Sequence, residues 1–339
     1  MAAEADYYLG LLDFTQGDVA GFGHAAECIL QLVPGPFEVT NYDVPLAHTR
    51  ARSYEALTAV AIASGNYHSA PAQARLALDE FADNAIADKW ILASNIVNLV
   101  AFAAEFDIAN DAQWARDLLE ATSWPQELAT RRWTVLNALG WCAALRGDNI
   151  GAFRDFRKAT AAASSDVERV ISTADRATLA DKLDQKLVAR EELEHALEMT
   201  RSIDWESTPG DQRVALLTLA DALAPVAPDD AREMLNRYRK IRSAMPVLSL
   251  SRMDPRVRAT ENFSEARVAR AEGRLDFACD RFRAAFTFWV KAGFVWRAAS
   301  AATELAVLGA GDQFAAYAKR EAGRRSTSWL ARRVASLTA

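Results

Sequence analysis

"LGWCAALRGDNIGAFRDFRKA", residues 139–159, decides the fold. Apolar residues recur at helical spacing up to Arg146, break at Gly147-Asp148, and resume at helical spacing from Ile150. Gly147 suits a helix end because glycine tolerates positive φ. Two antiparallel helices approach closely only where one of them offers Gly or Ala. Gly140, Ala152 and Ala159 are therefore the expected contact points, with Phe156 filling the space between the helices and Ala159 admitting the next hairpin.

The pattern recurs along the chain. "EARVARAEGRLDFACDRFRAAF" puts Gly273, Ala278, Phe282 and Ala285 at the same offsets, and "LTAVAIASGNYHSAPAQARLAL" puts Gly65, Ala70, Ala74 and Ala77 there. "LGLLDFTQGDVAGFGHAAECIL" repeats Leu9-Gly10 and Gly17-Asp18. "LADKLDQKLVAREELEHAL" carries Ala189, Leu193 and Ala196 without the turn glycine, and "LADALAPVAPDDAREMLNRY" carries Ala231, Leu235 and Tyr238. These residues resemble the tetratricopeptide (TPR) consensus. The resemblance implies an all-α, TPR-like superhelix (α-solenoid) of about seven helical hairpins covering nearly the whole chain. Clear neighbours among the anchor alanines 152, 189, 231 and 278 lie 37 to 47 residues apart. A plain TPR repeats every ~34 residues, so longer helices or inserted linkers are expected. "VPGPFEVTNYDVP", "ATSWPQEL", "DWESTPGD" and "RSAMPVLSLSRMDPR" read as those linkers, because proline breaks helices.

Composition agrees with a folded helical protein. Of the 339 residues, 51% are hydrophobic and 25% charged, and Ala is far commoner than Val, Ile or Thr. The richest apolar run, "ILASNIVNLVAFAA", is too short and too polar to span a bilayer. The acidic N-terminus lacks a signal-peptide pattern, and Cys28, Cys142 and Cys279 read as buried free thiols. A cytoplasmic location is expected on both counts. The net charge of −6 hides an asymmetry. Residues 1–230 hold 18 basic and 35 acidic residues, net −17, whereas residues 231–339 hold 21 and 10, net +11. The solenoid is thus expected to have an acidic region, 1–230, and a basic C-terminal region, 231–339. A polyanion, an acidic partner or a second copy docked head to tail could meet the basic end. Solvated arginines among Asp and Glu account for the same charge.

Nothing in the sequence points to catalysis. The four histidines stand apart, and no HExxH, CxxC, GxSxG or phosphate loop is present. Asp229-Asp230 and Glu191-Glu192 read as helix starts, where the helix dipole favours negative charge. No cofactor and no metal are expected. The TPR resemblance implies a concave face lined by the first helix of each hairpin. Asn137 and Trp141, flanked by Arg131 and Arg132, fall on that side, as do Asn95 and Asn98 on an otherwise apolar helix. An amide buried in such a helix must hydrogen-bond to a ligand or to a neighbouring helix. Arg267 and Arg270 project from the same face of the C-terminal unit and suit a carboxylate or phosphate. Most of the nine tryptophans, including Trp90, Trp133, Trp141, Trp289 and Trp296, read as packing residues, with one or two as pocket walls. The two-carboxylate clamp of chaperone-binding TPR domains is not reproduced, since Ala138 stands where its middle Asn belongs.

A second resemblance covers the last fifty or so residues. "KAGFVWRAASAATELAVLG", followed by the Trp-Leu-Ala-Arg-Arg run at 329–333, looks like the last helical units of large LuxR-type bacterial regulators. In those, a helical array senses a signal and a helix-turn-helix domain follows. No helix-turn-helix is recognisable here, so the resemblance implies a sensor module or a regulator acting on another protein. The function expected is a non-enzymatic module that binds a peptide, a protein or a small effector in its groove, in transcriptional or signalling control. Nucleic-acid binding by the basic third and an enzyme on a helical scaffold are the alternatives.

Overall fold

The computed structural model describes residues 9–12, 14, 18–33, 44–80, 89–106, 109–121, 128–208, 212–244, 255–324 and 329–335. Every regular element among them is helical. The chain divides into two compact units, Met1–Val135 and Leu136–Ala339. The first holds α1 (Val19–Leu32), α2 (Val44–Ala63), α3 (Ala70–Asp79), α4 (Lys89–Glu105) and α5 (Ala109–Ala121). Each packs on the next in sequence, and α2 also packs on α4. The division falls inside α6 (Ala129–Leu145).

The second unit continues with α7 (Asn149–Ala162), α8 (Asp166–Lys182), α9 (Lys186–Thr200), α10 (Ala215–Leu223), α11 (Pro228–Ala244), α12 (Pro255–Ala271), α13 (Leu275–Ala292), α14 (Val295–Val307), α15 (Asp312–Gly323) and α16 (Trp329–Ala335). Consecutive helices pair as hairpins, and first helices stack on first helices, α8 on α10 and α10 on α12. The short α16 packs on α14 and α15. This is the TPR-like arrangement. The charge boundary at 230/231 lies inside α11, well within the second unit.

The anchor residues sit where close approach needs them. Ala152, Phe156 and Ala159 are fully buried, as are Ala278, Phe282 and Ala285, and Ala70, Ala74 and Ala77. Leu193 and Tyr238 take the place of phenylalanine in the units that lack it, and both are buried. A Cβ added at Gly140 would lie 2.6 Å from Cε1 of Phe156. Glycine at 140 therefore follows from the ring that lies against it.

Both ends of the turn are hydrogen-bonded. Asp148 caps α7, its Oδ1 accepting from Gly151 N at 2.8 Å, and Asp18 caps α1 through Gly21 N at 2.7 Å. "GDVAG" and "GDNIG" are thus the same capping turn; Gly17 itself lies outside the described residues. At the end of α6, Asp148 N donates to Ala143 O and Gly147 N to Ala144 O, with Gly147 at φ 84°. The same two bonds close α12 around Gly273 and α14 around Gly309. In the unit without a turn glycine, Asp184 takes the left-handed position at φ 63°, with Gln185 N donating to Ala180 O. A side chain there carries strain that glycine lacks. Asp184→Gly is expected to raise stability by about 0.5 kcal/mol. The check is a higher urea midpoint at unchanged m-value.

Two expectations are corrected. Glu191 and Glu192 lie well inside α9 rather than at its start, because the helix begins at Lys186 after the Asp184 turn. Glu192 pairs there with Arg176 of α8. Of the three free cysteines only Cys142 is buried; Cys28 and Cys279 are partly exposed. Asp229 and Asp230 do occupy the first turn of α11. The central parts of three expected linkers and the last three residues of "DWESTPGD" lie outside the described residues; 204–208 form turns, with Trp205 buried. No helix among the described residues is long and apolar enough to cross a membrane.

Candidate functional site

The first helices of the second unit carry polar side chains on an Ala-rich face. Asp175, on α8, is buried at the centre. Its Oδ2 accepts from Asn137 Nδ2 of α6 at 2.7 Å, and its carboxylate also accepts from the Trp141 side chain. Burial pushes the Asp175 carboxyl up to about 6, against the pull of those two hydrogen bonds and of the Arg297 charge. Ionised, it only accepts, so it fixes which end of the Asn137 amide faces it. Asn137 Oδ1 then points away and is buried without a hydrogen-bond partner among the described residues.

Trp141 packs edge-on against Phe156, with ring centroids 5.5 Å apart, and nearly parallel to Trp296 of α14 at 5.9 Å and 17°. Arg297 covers the Trp296 ring at 4.7 Å. The Trp296 Nε1 has no hydrogen-bond partner among the described residues. An unpaired acceptor and an unpaired donor thus sit beside an indole stack. That combination is ready to receive an amide, which offers both groups and a flat face.

A second cluster adjoins on α8, α10, α12, α14 and α16. Arg267, buried on α12, lies 3.2 Å from Asp221 and 3.3 Å from Glu304. Arg270 also pairs with Glu304, and Arg333 reaches it from α16 at 2.6 Å. Three guanidinium groups therefore converge on one buried carboxylate. Burial, and then the charges of Arg267 and Arg333, pull Arg270 down to about 10. Lys182, at the end of α8, lies over the Trp329 ring at 4.0 Å. Burial and the same two arginines pull its ammonium down to about 7, with Asp221 and Asp181 opposing. Among the described residues no three His, Cys, Asp or Glu side chains are grouped as a metal would need.

The expected site residues thus fall in different places. Asn137 and Trp141 come together with Asp175 and Trp296. Arg267 and Arg270 do hold a carboxylate, but one that the chain supplies itself, in Glu304. Asn95, buried, and Asn98, half-buried, lie on α4 in the first unit; the half-buried Arg131 and the exposed Arg132 lie at the start of α6, before residue 136 and so also in the first unit. Trp133 and Trp289 are core residues, and the Trp90 side chain lies outside the described residues.

Asp175, Lys182, Asp221 and Glu304 carry no mark of a site in the sequence; Trp296 reads there as one of the packing or pocket-wall tryptophans, and Trp329 and Arg333 only as part of the 329–333 run. A usable signal existed for two of them. Asn137 and Asp175 are 38 residues apart, and Arg267 and Glu304 are 37 apart. Each pair is separated by one repeat, so the partners occupy equivalent positions on successive first helices.

No family model matches the sequence, and no curated protein is similar to it. Among solved structures, the crystal structure of a Rap protein complexed with competence and sporulation factor is similar at a TM-score of 0.47. The two chains are 11% identical, and the match covers 84% of this chain and 77% of that one.

Proposed function

We propose that the chain is a non-enzymatic, TPR-like regulatory module whose second unit binds an extended peptide along its first-helix face. Its place in transcriptional or signalling control is suggested by the LuxR-like C-terminal run, and a cytoplasmic setting goes with that reading. The observation that carries the proposal is the pair of unsatisfied groups, Asn137 Oδ1 and Trp296 Nε1, beside the Trp141–Trp296 stack. A peptide group would donate its N–H to the first and accept from the second. Small polar effectors that carry an amide satisfy the same two groups and form the second reading.

Direct nucleic-acid binding is less well supported. Many arginines of the basic third face its own carboxylates: Arg239 and Arg242 meet Glu261, Arg281 meets Glu265, and Arg320 and Arg324 meet Glu321. Cations held this way release fewer counterions from a phosphate backbone.

The test is a peptide library screened by tryptophan fluorescence, followed by titration of hits into wild type, Asn137→Ala and Trp141→Ala. The expected result is a spectral shift with wild type and at least about a tenfold loss of affinity in both variants, each keeping its helical circular dichroism. Binding should also weaken below about pH 6, where a protonated Asp175 can donate to Asn137 and release the amide's fixed orientation. Variants that stay folded and bind every hit as tightly as wild type would remove the site from this face.

A further inference from the structure

The Lys182 ammonium is half-buried, yet it donates to no acceptor among the described residues; its only contact of note is the Trp329 ring at 4.0 Å. The two carboxylates whose charges act on it, Asp181 and Asp221, each form an ion pair with another cation. Asp181 holds Lys186 at 2.6 Å, and Asp221 holds Arg267 at 3.2 Å. Glu304 is shared by Arg267, Arg270 and Arg333. Five cations, Lys182, Lys186, Arg267, Arg270 and Arg333, are therefore faced by three carboxylates, Asp181, Asp221 and Glu304. A half-buried ammonium with no protein acceptor among the described residues, inside an excess of positive charge, favours an anion as its partner.

We propose that Lys182 anchors an oxyanion carried by the ligand, a carboxylate or a phosphate, with Arg267 and Arg333 supplying the surrounding positive field. The Trp329 ring holds the ammonium in place from one side and leaves its hydrogens for the anion. Glu304 keeps the arginines ordered while the site is empty, so the arginines are positioned before the ligand arrives. The proposal deepens the peptide reading, for which a free C-terminal carboxylate is one source of the anion. It does not depend on Asn137 or Trp141.

The experiment measures thermal unfolding near pH 6.5, where Lys182, at about 7, is mostly charged. The probes are inorganic phosphate, N-acetyl-trialanine with a free C-terminus, and the same peptide as its C-terminal amide, all against sodium chloride at matched ionic strength. The proteins are wild type, Lys182→Met and Lys182→Arg. At least one oxyanion should stabilise wild type beyond chloride, with apparent affinity at least about tenfold weaker in Lys182→Met and retained in Lys182→Arg. A response to phosphate alone assigns a phosphorylated ligand, and a response to the free-acid peptide but not its amide assigns a C-terminus. Equal behaviour of all probes and chloride, or an undiminished response in Lys182→Met, overturns the proposal. Loss of peptide binding on Trp141→Ala without any effect of Lys182→Met would leave the peptide reading standing and sink this one alone.

Discussion

Replacing Glu304 by alanine is expected to destabilise the second unit by about 3 kcal/mol. The variant leaves three guanidinium groups facing one another around a position that is 3% exposed. Arg267 retains Asp221, but Arg270 and Arg333 lose the carboxylate that holds them. Because Arg333 is on α16, the damage is concentrated at the C-terminal end. Amide exchange in α16 and α14 should accelerate before that in α8 or α10. Glu304→Gln separates charge from shape: it keeps an acceptor oxygen for one arginine and should lose less than alanine. Urea unfolding with both variants decides the matter. An alanine variant within about 0.5 kcal/mol of wild type would mean the arginines find water as readily as they found Glu304.

The second large effect is at the contact of Gly140 with Phe156. Phe156→Ala should cost about 3–5 kcal/mol, because a fully buried ring leaves a cavity between α6 and α7. Gly140→Ala should cost about 1–3 kcal/mol for the opposite reason, since its new methyl would meet that ring. Together the two changes should cost less than the sum of their separate effects, because the methyl enters space the ring has left. Additive losses in the double variant would show that the backbones, and not the side chains, set the spacing of the hairpin. Phe282→Ala should behave like Phe156→Ala, as the equivalent residue of α13.

The repeats were legible because their determinants are local. Ala152, Phe156 and Ala159 lie within one helix, and the sequence spacing alone places them on one face. The turn at Gly147 was legible for the same reason, while its counterpart at Asp184 was hidden, since an aspartate in the left-handed region looks like any other polar turn residue. The candidate site was half legible. Asn137 and Trp141 stand out as polar and aromatic residues on an Ala-rich first helix. Trp296 reads only as one packing or pocket-wall tryptophan among several, and Lys182 not at all, because Trp296 meets Trp141 and Lys182 meets Trp329 across several hairpins, and degenerate repeats blur which positions face inward. Arg267 and Arg270 were placed on the correct helix, but a search within that helix cannot reveal that their partner lies one period later.

The Trp141–Trp296 stack also bears on how the second unit assembles. Most helix pairings join sequence neighbours or successive first helices, so much of the unit forms by steps that each close a loop of about one repeat. The two indoles belong to the first and the last full hairpins and close a loop spanning almost the whole unit. Their contact cannot form until the intervening hairpins are in place, which makes it a late event and a weak contributor to the folding rate. Loss of the stack should leave refolding nearly unchanged and accelerate unfolding, the kinetic signature of an interaction made after the transition state.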